Sequence, residues 1–126
     1  MGNRRRDLLS RASSGDWVAV TLPDQSASTN DALSRAARAL VSLGLAETAP
    51  AATAIARAEC RGDHAEARRV EWYCIRNDIG GGRSLIRLTK LGRAIVRFFR
   101  RALEAGRAIR WERFFAAVER GQVVIA

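Results

Sequence analysis

Apolar and polar positions alternate along this chain with two periods, and the longer one is clearest in residues 29–43. There Leu33, Ala36, Ala37, Leu40 and Val41 recur at i, i+3, i+4 and i+7, the stripe of an amphipathic helix. Ser28 or Thr29 caps its free N–H groups, and Asp31 adds a favourable charge in the first turn. Gly44 suits the left-handed position past its end, with Leu45 packing back as the next apolar residue. Asp31, Ser34, Arg35, Arg38 and Ser42 fall on the opposite face. A shorter helix fits residues 4–13, where Leu8, Leu9 and Ala12 share a face before Ser14-Gly15-Asp16 breaks it. Residues 17–22 form an apolar run closed by Pro23, and periodicity does not decide between a strand and a buried helical turn.

The second half begins with an Ala- and Pro-rich loop over residues 47–53. Residues 54–59 and 70–76 carry alternating, β-favouring patterns and read as strands, with Val70, Trp72 and Cys74 on one parity and Glu71, Tyr73 and Ile75 on the other. The charged stretch 61–69 between them is a loop or a helical turn. Residues 77–83, centred on Gly80-Gly81-Gly82, form a turn, because glycine adopts positive φ without steric penalty. Residues 84–88 follow as a strand, and Thr89 caps a long helix whose stripe is Leu91, Ala94, Ile95, Phe98, Ala102 and Leu103. Gly106 interrupts it. A second helical piece over 109–120 carries Trp111, Phe114, Phe115 and Val118, and an apolar tail at 123–125 follows Gly121.

Composition narrows the class. The chain has 126 residues, 48% apolar and 28% charged, which suits a single ordered domain with one modest core. Net charge is +9, almost all of it from arginine, a side chain that meets phosphate and guanine edges in bidentate fashion. An Ala- and Arg-rich, Lys-poor chain is also what GC-rich coding produces, so the charge excess says more than the arginine preference. No apolar run approaches the roughly eighteen residues needed to span a bilayer, and Arg4-Arg5-Arg6 has no apolar segment behind it of the kind a secretory signal requires. A cytoplasmic location is expected. Cys60 and Cys74 are too few to staple the fold and are expected to be reduced, partly buried thiols.

A capped helix ending in Gly-Leu over residues 34–45, followed later by Leu88-Thr89-Lys90-Leu91-Gly92, resembles the winged helix-turn-helix regulators of the MarR and PadR type. The resemblance covers residues 4–97. It implies an α+β winged helix-turn-helix domain over residues 1–97 and a C-terminal helical extension over 98–126 that packs as core or dimerises. Where the family has a full helix ahead of the recognition helix, this chain offers only residues 17–28, with Pro23 inside; that helix is either very short or replaced by an extended segment.

The resemblance implies sequence-specific binding of double-stranded DNA in transcriptional regulation. Thr29, Asn30, Ser34, Arg35 and Arg38 would face the major groove, and Arg76, Arg83 and Arg87 in a wing would meet phosphates or the minor groove. Arg4, Arg5 and Arg6 would add a basic arm. The alternatives are a replication, partition or transfer protein of a plasmid or phage, a winged helix that binds an acidic protein partner, and an RNA binder, although no RRM-like stacking motif is present.

The aromatic stripe of Phe98, Phe99, Leu103, Trp111, Phe114 and Phe115 either covers the domain as core or forms a homodimer through the C-terminal helices. Cys60, His64 and Cys74, even with Asp63 or Glu66, match no standard zinc spacing, and the glycine triplet lacks the Gly-Lys-Ser/Thr of a phosphate loop. Neither a metal, a cofactor nor an enzymatic constellation is expected.

Overall fold

The structure, a computed structural model, describes residues 3–106 and 110–121. Along the chain these form α1 (Asn3–Arg11), β1 (Val18–Ala19), α2 (Ala27–Ser42), β2 (Ala46–Pro50), α3 (Ala51–Cys60), α4 (His64–Arg76), β3 (Ser84–Leu88), α5 (Lys90–Glu104) and α6 (Trp111–Glu119). Ile109, the side chains of Leu103 and Trp111, and the tail at 123–125 lie outside the described residues. The class is α+β.

The strands make one antiparallel sheet in the order β1-β3-β2, so the last strand in sequence lies at the centre. Val18 and Ala19 pair with Ile86 and Leu85 on one side. On the other, β2 runs from Ala46 opposite Leu88 to Pro50 opposite Ser84. Alternation along the strands divides their side chains between two faces. Val18, Val20, Ala46, Ile86 and Leu88 join Leu8, Leu33, Leu40, Ile95, Phe99 and Phe115 in one core. Trp17, Ala19, Ala49 and Leu85 join Ala51, Ala54, Val70 and Cys74 in a second. The sheet is therefore a middle layer, with α1, α2, α5 and α6 on one face and α3 and α4 on the other. Leu85 and Ile86 are adjacent in sequence, both fully buried, and belong to different cores.

The run at 17–22 resolves as a strand of two residues, so no helix lies between α1 and α2. Its outer edge is closed by side chains: the Ala19 N–H donates to Tyr73 Oη at 2.8 Å, and Arg11 Nη1 donates to the Ala19 carbonyl at 2.8 Å. An edge satisfied in this way offers no template for further strand pairing.

Helix α2 begins two residues earlier than its pattern suggests. Ser26 is the cap, its side chain accepting from the Thr29 N–H, and Ser28 and Thr29 lie inside the first turn. At the other end Gly44, with φ +77°, donates to the Val41 carbonyl, and Leu45 donates to the Leu40 carbonyl, the paired bonds of a Schellman stop.

The hairpin expected around the glycine turn is not there. Residues 54–59 and 70–76 are helical, belonging to α3 and α4, and the charged stretch between them forms the junction and the start of α4. The strand β3 pairs instead with β2, residues 46–50, which the sequence pattern leaves mostly in a loop. The deciding contacts are long-range. Ala51, Ala54 and Ala58 of α3 and Ala67, Val70 and Cys74 of α4 are buried at helical spacing, and small residues let these two helices approach closely. Asp63 caps α4 by accepting from the Glu66 N–H at 3.1 Å.

The division at residue 97 falls inside α5. Phe99, Phe115 and Val118 lie in the same core as Leu8 and Leu33, so α5 and α6 complete the first core rather than extend from it.

Candidate nucleic-acid interface

The two motifs that organise the sequence meet in space. Thr89 Oγ1 donates to the Gly44 carbonyl at 2.7 Å, and the Thr89 N–H donates to the Leu45 carbonyl at 3.0 Å. Thr89 Oγ1 also accepts from the Gly92 N–H at 3.2 Å, capping α5. A Cβ at position 92 would sit 2.0 Å from the Leu45 carbonyl oxygen, so only glycine lets α5 lie this close to the end of α2. The start of α5 is thereby fixed on the end of α2.

Within the predicted recognition set, Arg35 and Arg38 are exposed on α2, and neither forms an ion pair among the described residues. Ser34 is half-buried beside them. Thr29 accepts a bond from Ser26 Oγ at 2.9 Å in the helix cap. Asn30 is committed elsewhere: its Oδ1 accepts from the Leu22 N–H and its Nδ2 donates to the Leu22 carbonyl at 3.1 Å, closing the 22–30 loop. An amide used in both directions by the backbone has no edge left for adenine.

The residues assigned to a wing do not form one group. Arg76 is exposed at the end of α4, and Arg83 is exposed and donates to Thr21 Oγ1 at 3.1 Å. Arg87 is turned inward. Its guanidinium lies 4.5 Å from the Trp17 ring centre, Nη1 donates to Glu66 Oε1 at 2.5 Å, and Nε donates to Glu47 Oε1 at 2.9 Å. Glu66 also pairs with Arg61. Arg87 thus fastens α4 to the sheet and β2, a structural role that removes it from any phosphate-facing set.

Arg4, Arg5 and Arg6 form part of α1 rather than a free arm. Arg4 pairs with Asp7 at 3.5 Å, Arg5 lies 5.2 Å from the Phe115 ring centre, and Arg6 is also engaged.

A row of cations without ion-pair partners among the described residues lies on α5. Lys90, Arg93, Arg97, Arg100 and Arg101 are all exposed, and the 100° turn per residue gathers them on one side of the helix. Opposite them, Ile95, Phe99 and Ala102 are buried. Among the described residues none of the five forms an ion pair; the nearest intramolecular commitment is Arg93 Nη1 to the Leu88 carbonyl at 3.4 Å. The i, i+4, i+7, i+8 spacing of Arg93, Arg97, Arg100 and Arg101 is the signal in the sequence that marks this cationic stripe.

Among the aromatic residues proposed for dimerisation, Phe99 and Phe115 are buried within the chain and Phe114 is half-buried, edge-on to Phe99 with ring centres 4.5 Å apart. Phe98 is the exposed member, at 57%. Leu103 and Trp111 lie outside the described side chains.

Cys74 is buried in the second core, where burial pushes its thiol pKa up. Cys60, expected to be partly buried, is exposed, and His64 Nδ1 bonds Glu59 Oε2 at 2.6 Å on the surface. These three side chains do not converge, and no metal-ligand cluster occurs among the described residues. No described helix is long and apolar enough to cross a membrane.

No protein-family model matches the chain, and no curated protein or solved structure is significantly similar to it.

Proposed function

We propose that this protein binds double-stranded DNA and acts as a transcriptional regulator, using a winged-helix-like frame. The observation that carries the proposal is the α5 face, where five cations stand together without acidic partners among the described residues. Such a surface releases counterions when it meets a phosphate backbone, which is the main source of affinity for duplex DNA. The exposed Arg35 and Arg38 on α2 supply the side chains suited to base edges. Thr89 and Gly92 hold the start of α5 against the end of α2, in a fixed relation. The frame is supported by the sheet order β1-β3-β2 and by the contact between the Gly44-Leu45 and Leu88–Gly92 motifs. In this frame α3 and α4 stand where a wing hairpin would connect β2 to β3. A homodimer is part of the proposal, with Phe98 as its exposed anchor.

Duplex binding across a salt series tests the proposal. Affinity is expected to fall steeply with salt, with a slope reduced by about 0.9 for each phosphate contact removed by Arg→Gln changes on α5. Footprints on a preferred site should show two half-sites about one helical turn apart. Undetectable binding, or binding insensitive to salt, rules the proposal out.

A further inference from the structure

The face of α4 turned away from the core carries an arrangement that the duplex reading does not use. Trp72 is 62% exposed and Ile75 is 64% exposed, the two most exposed large apolar side chains among the described residues. Arg68 lies one turn before Trp72 and Arg76 one turn after it, on the same side of the helix, about 6 Å along the axis in each direction. Neither forms an ion pair among the described residues. Arg69 borders the same face, with only a long contact of 3.9 Å to Asp16. The nearest acid on this face is Glu71, at its margin. Beside the row opens a cleft of about 590 Å³ between α4 and the 14–18 segment, with Arg68, Arg69, Trp72 and Arg76 on its α4 wall and the carboxylates of Asp16 and Glu66 also in its lining.

An exposed tryptophan needs a partner with a flat apolar face, because burying that ring yields most when a π surface lies against it. Cations one turn to either side ask for negative charge at regular intervals flanking that flat group. A single strand of nucleic acid has this composition, with bases that stack and phosphates that alternate with them. Duplex DNA does not offer it, since its base faces are already stacked on one another. An acidic peptide supplies the charge but no repeating planar group.

We propose that α4 is a binding site for single-stranded nucleic acid, with Trp72 stacking an unpaired base and Arg68 and Arg76 holding the phosphates on either side of it. Arg69 and the cleft receive the neighbouring nucleotide. The site uses none of the α2 and α5 residues assigned to duplex contact and stands without that assignment.

The test is binding of a fluorescently labelled single-stranded thymidine oligonucleotide by the full chain, followed by anisotropy and by quenching of tryptophan emission. Trp72→Ala should weaken binding roughly tenfold and remove most of the quenching, while Trp72→Phe restores most of the affinity. The paired change Arg68→Gln with Arg76→Gln should weaken binding and flatten its salt dependence. Trp72 is exposed, so thermal melting should show both Trp72 variants folded. Removing the α5 arginines should leave thymidine-strand binding largely intact while duplex binding falls, which separates this site from the duplex proposal. The inference fails if the native chain does not bind the strand, or if Trp72→Ala binds it as well as native protein. It also fails if polyglutamate or thymidine monophosphate competes as strongly, mole for mole, as the strand.

Discussion

At the scale of single residues, Gly92 illustrates how one missing carbon sets a contact between distant parts of the chain. An interior helix glycine is ordinarily worse than alanine by about 1 kcal/mol, so Gly92→Ala would stabilise an isolated α5. In the protein the new Cβ would meet the Leu45 carbonyl at 2.0 Å, and backbone cannot give way as a flexible side chain can. Gly92→Ala is therefore expected to lower stability by about 3 kcal/mol, measured as a fall in the urea midpoint. Cys74 gives a second residue-scale expectation. Burial holds its thiol pKa above the ordinary 9.0, so between 9.0 and that raised value the unfolded chain loses this proton first and binds fewer protons than the native one. Stability should then decline as pH rises past about 9, and Cys74→Ala should lose that part of the decline in paired denaturation curves. Arg87 and Asn30 carry the same lesson in another form. Their side-chain chemistry suits DNA, yet the fold spends it on Glu47, Glu66 and the Leu22 backbone.

At the scale of elements, α2 and α5 divide the proposed work. Arg35→Ala and Arg38→Ala should weaken preference for one site over random duplex, whereas changes on α5 should reduce affinity for all duplexes alike. Helix α2 was legible because cap, stripe and glycine stop all agree within one short window. Helix α4 was not, because Val70, Trp72 and Cys74 satisfy a period of two as well as aromatic and β-branched preferences. A strand would place Trp72 beside Val70 and Cys74; the helix turns it about 200° away from Val70 and out into solvent. One local signal did favour the helix, namely Asp63 three residues ahead of Glu66, the spacing of a reciprocal cap. The exposed face of α4, and with it the proposed strand-binding row, follows from that period.

At the scale of the whole molecule, the C-terminal helices belong to the first core. Phe115 and Val118 of α6 are buried in the same core as Leu8 of α1 and Leu33 of α2, at about 2 kcal/mol for each side chain. A chain ended after Gly106 should therefore lose about 4 kcal/mol and unfold at markedly lower denaturant, as followed by circular dichroism. Retention of full stability by that truncated chain would contradict the packing described. The amino-acid sequence by itself determined the amphipathic helices with well-marked ends, the positions of the glycine stops and the excess of positive charge, because each depends on residues within a turn or two of one another. The tertiary structure alone decided that β3 pairs with β2 rather than with residues 70–76, that Arg87 is an internal tie, and that Lys90, Arg93, Arg97, Arg100 and Arg101 have no ion-pair partner among the described residues. Those outcomes depend on which carbonyls, carboxylates and apolar faces arrive from more than twenty residues away, and a short-range period carries no record of them.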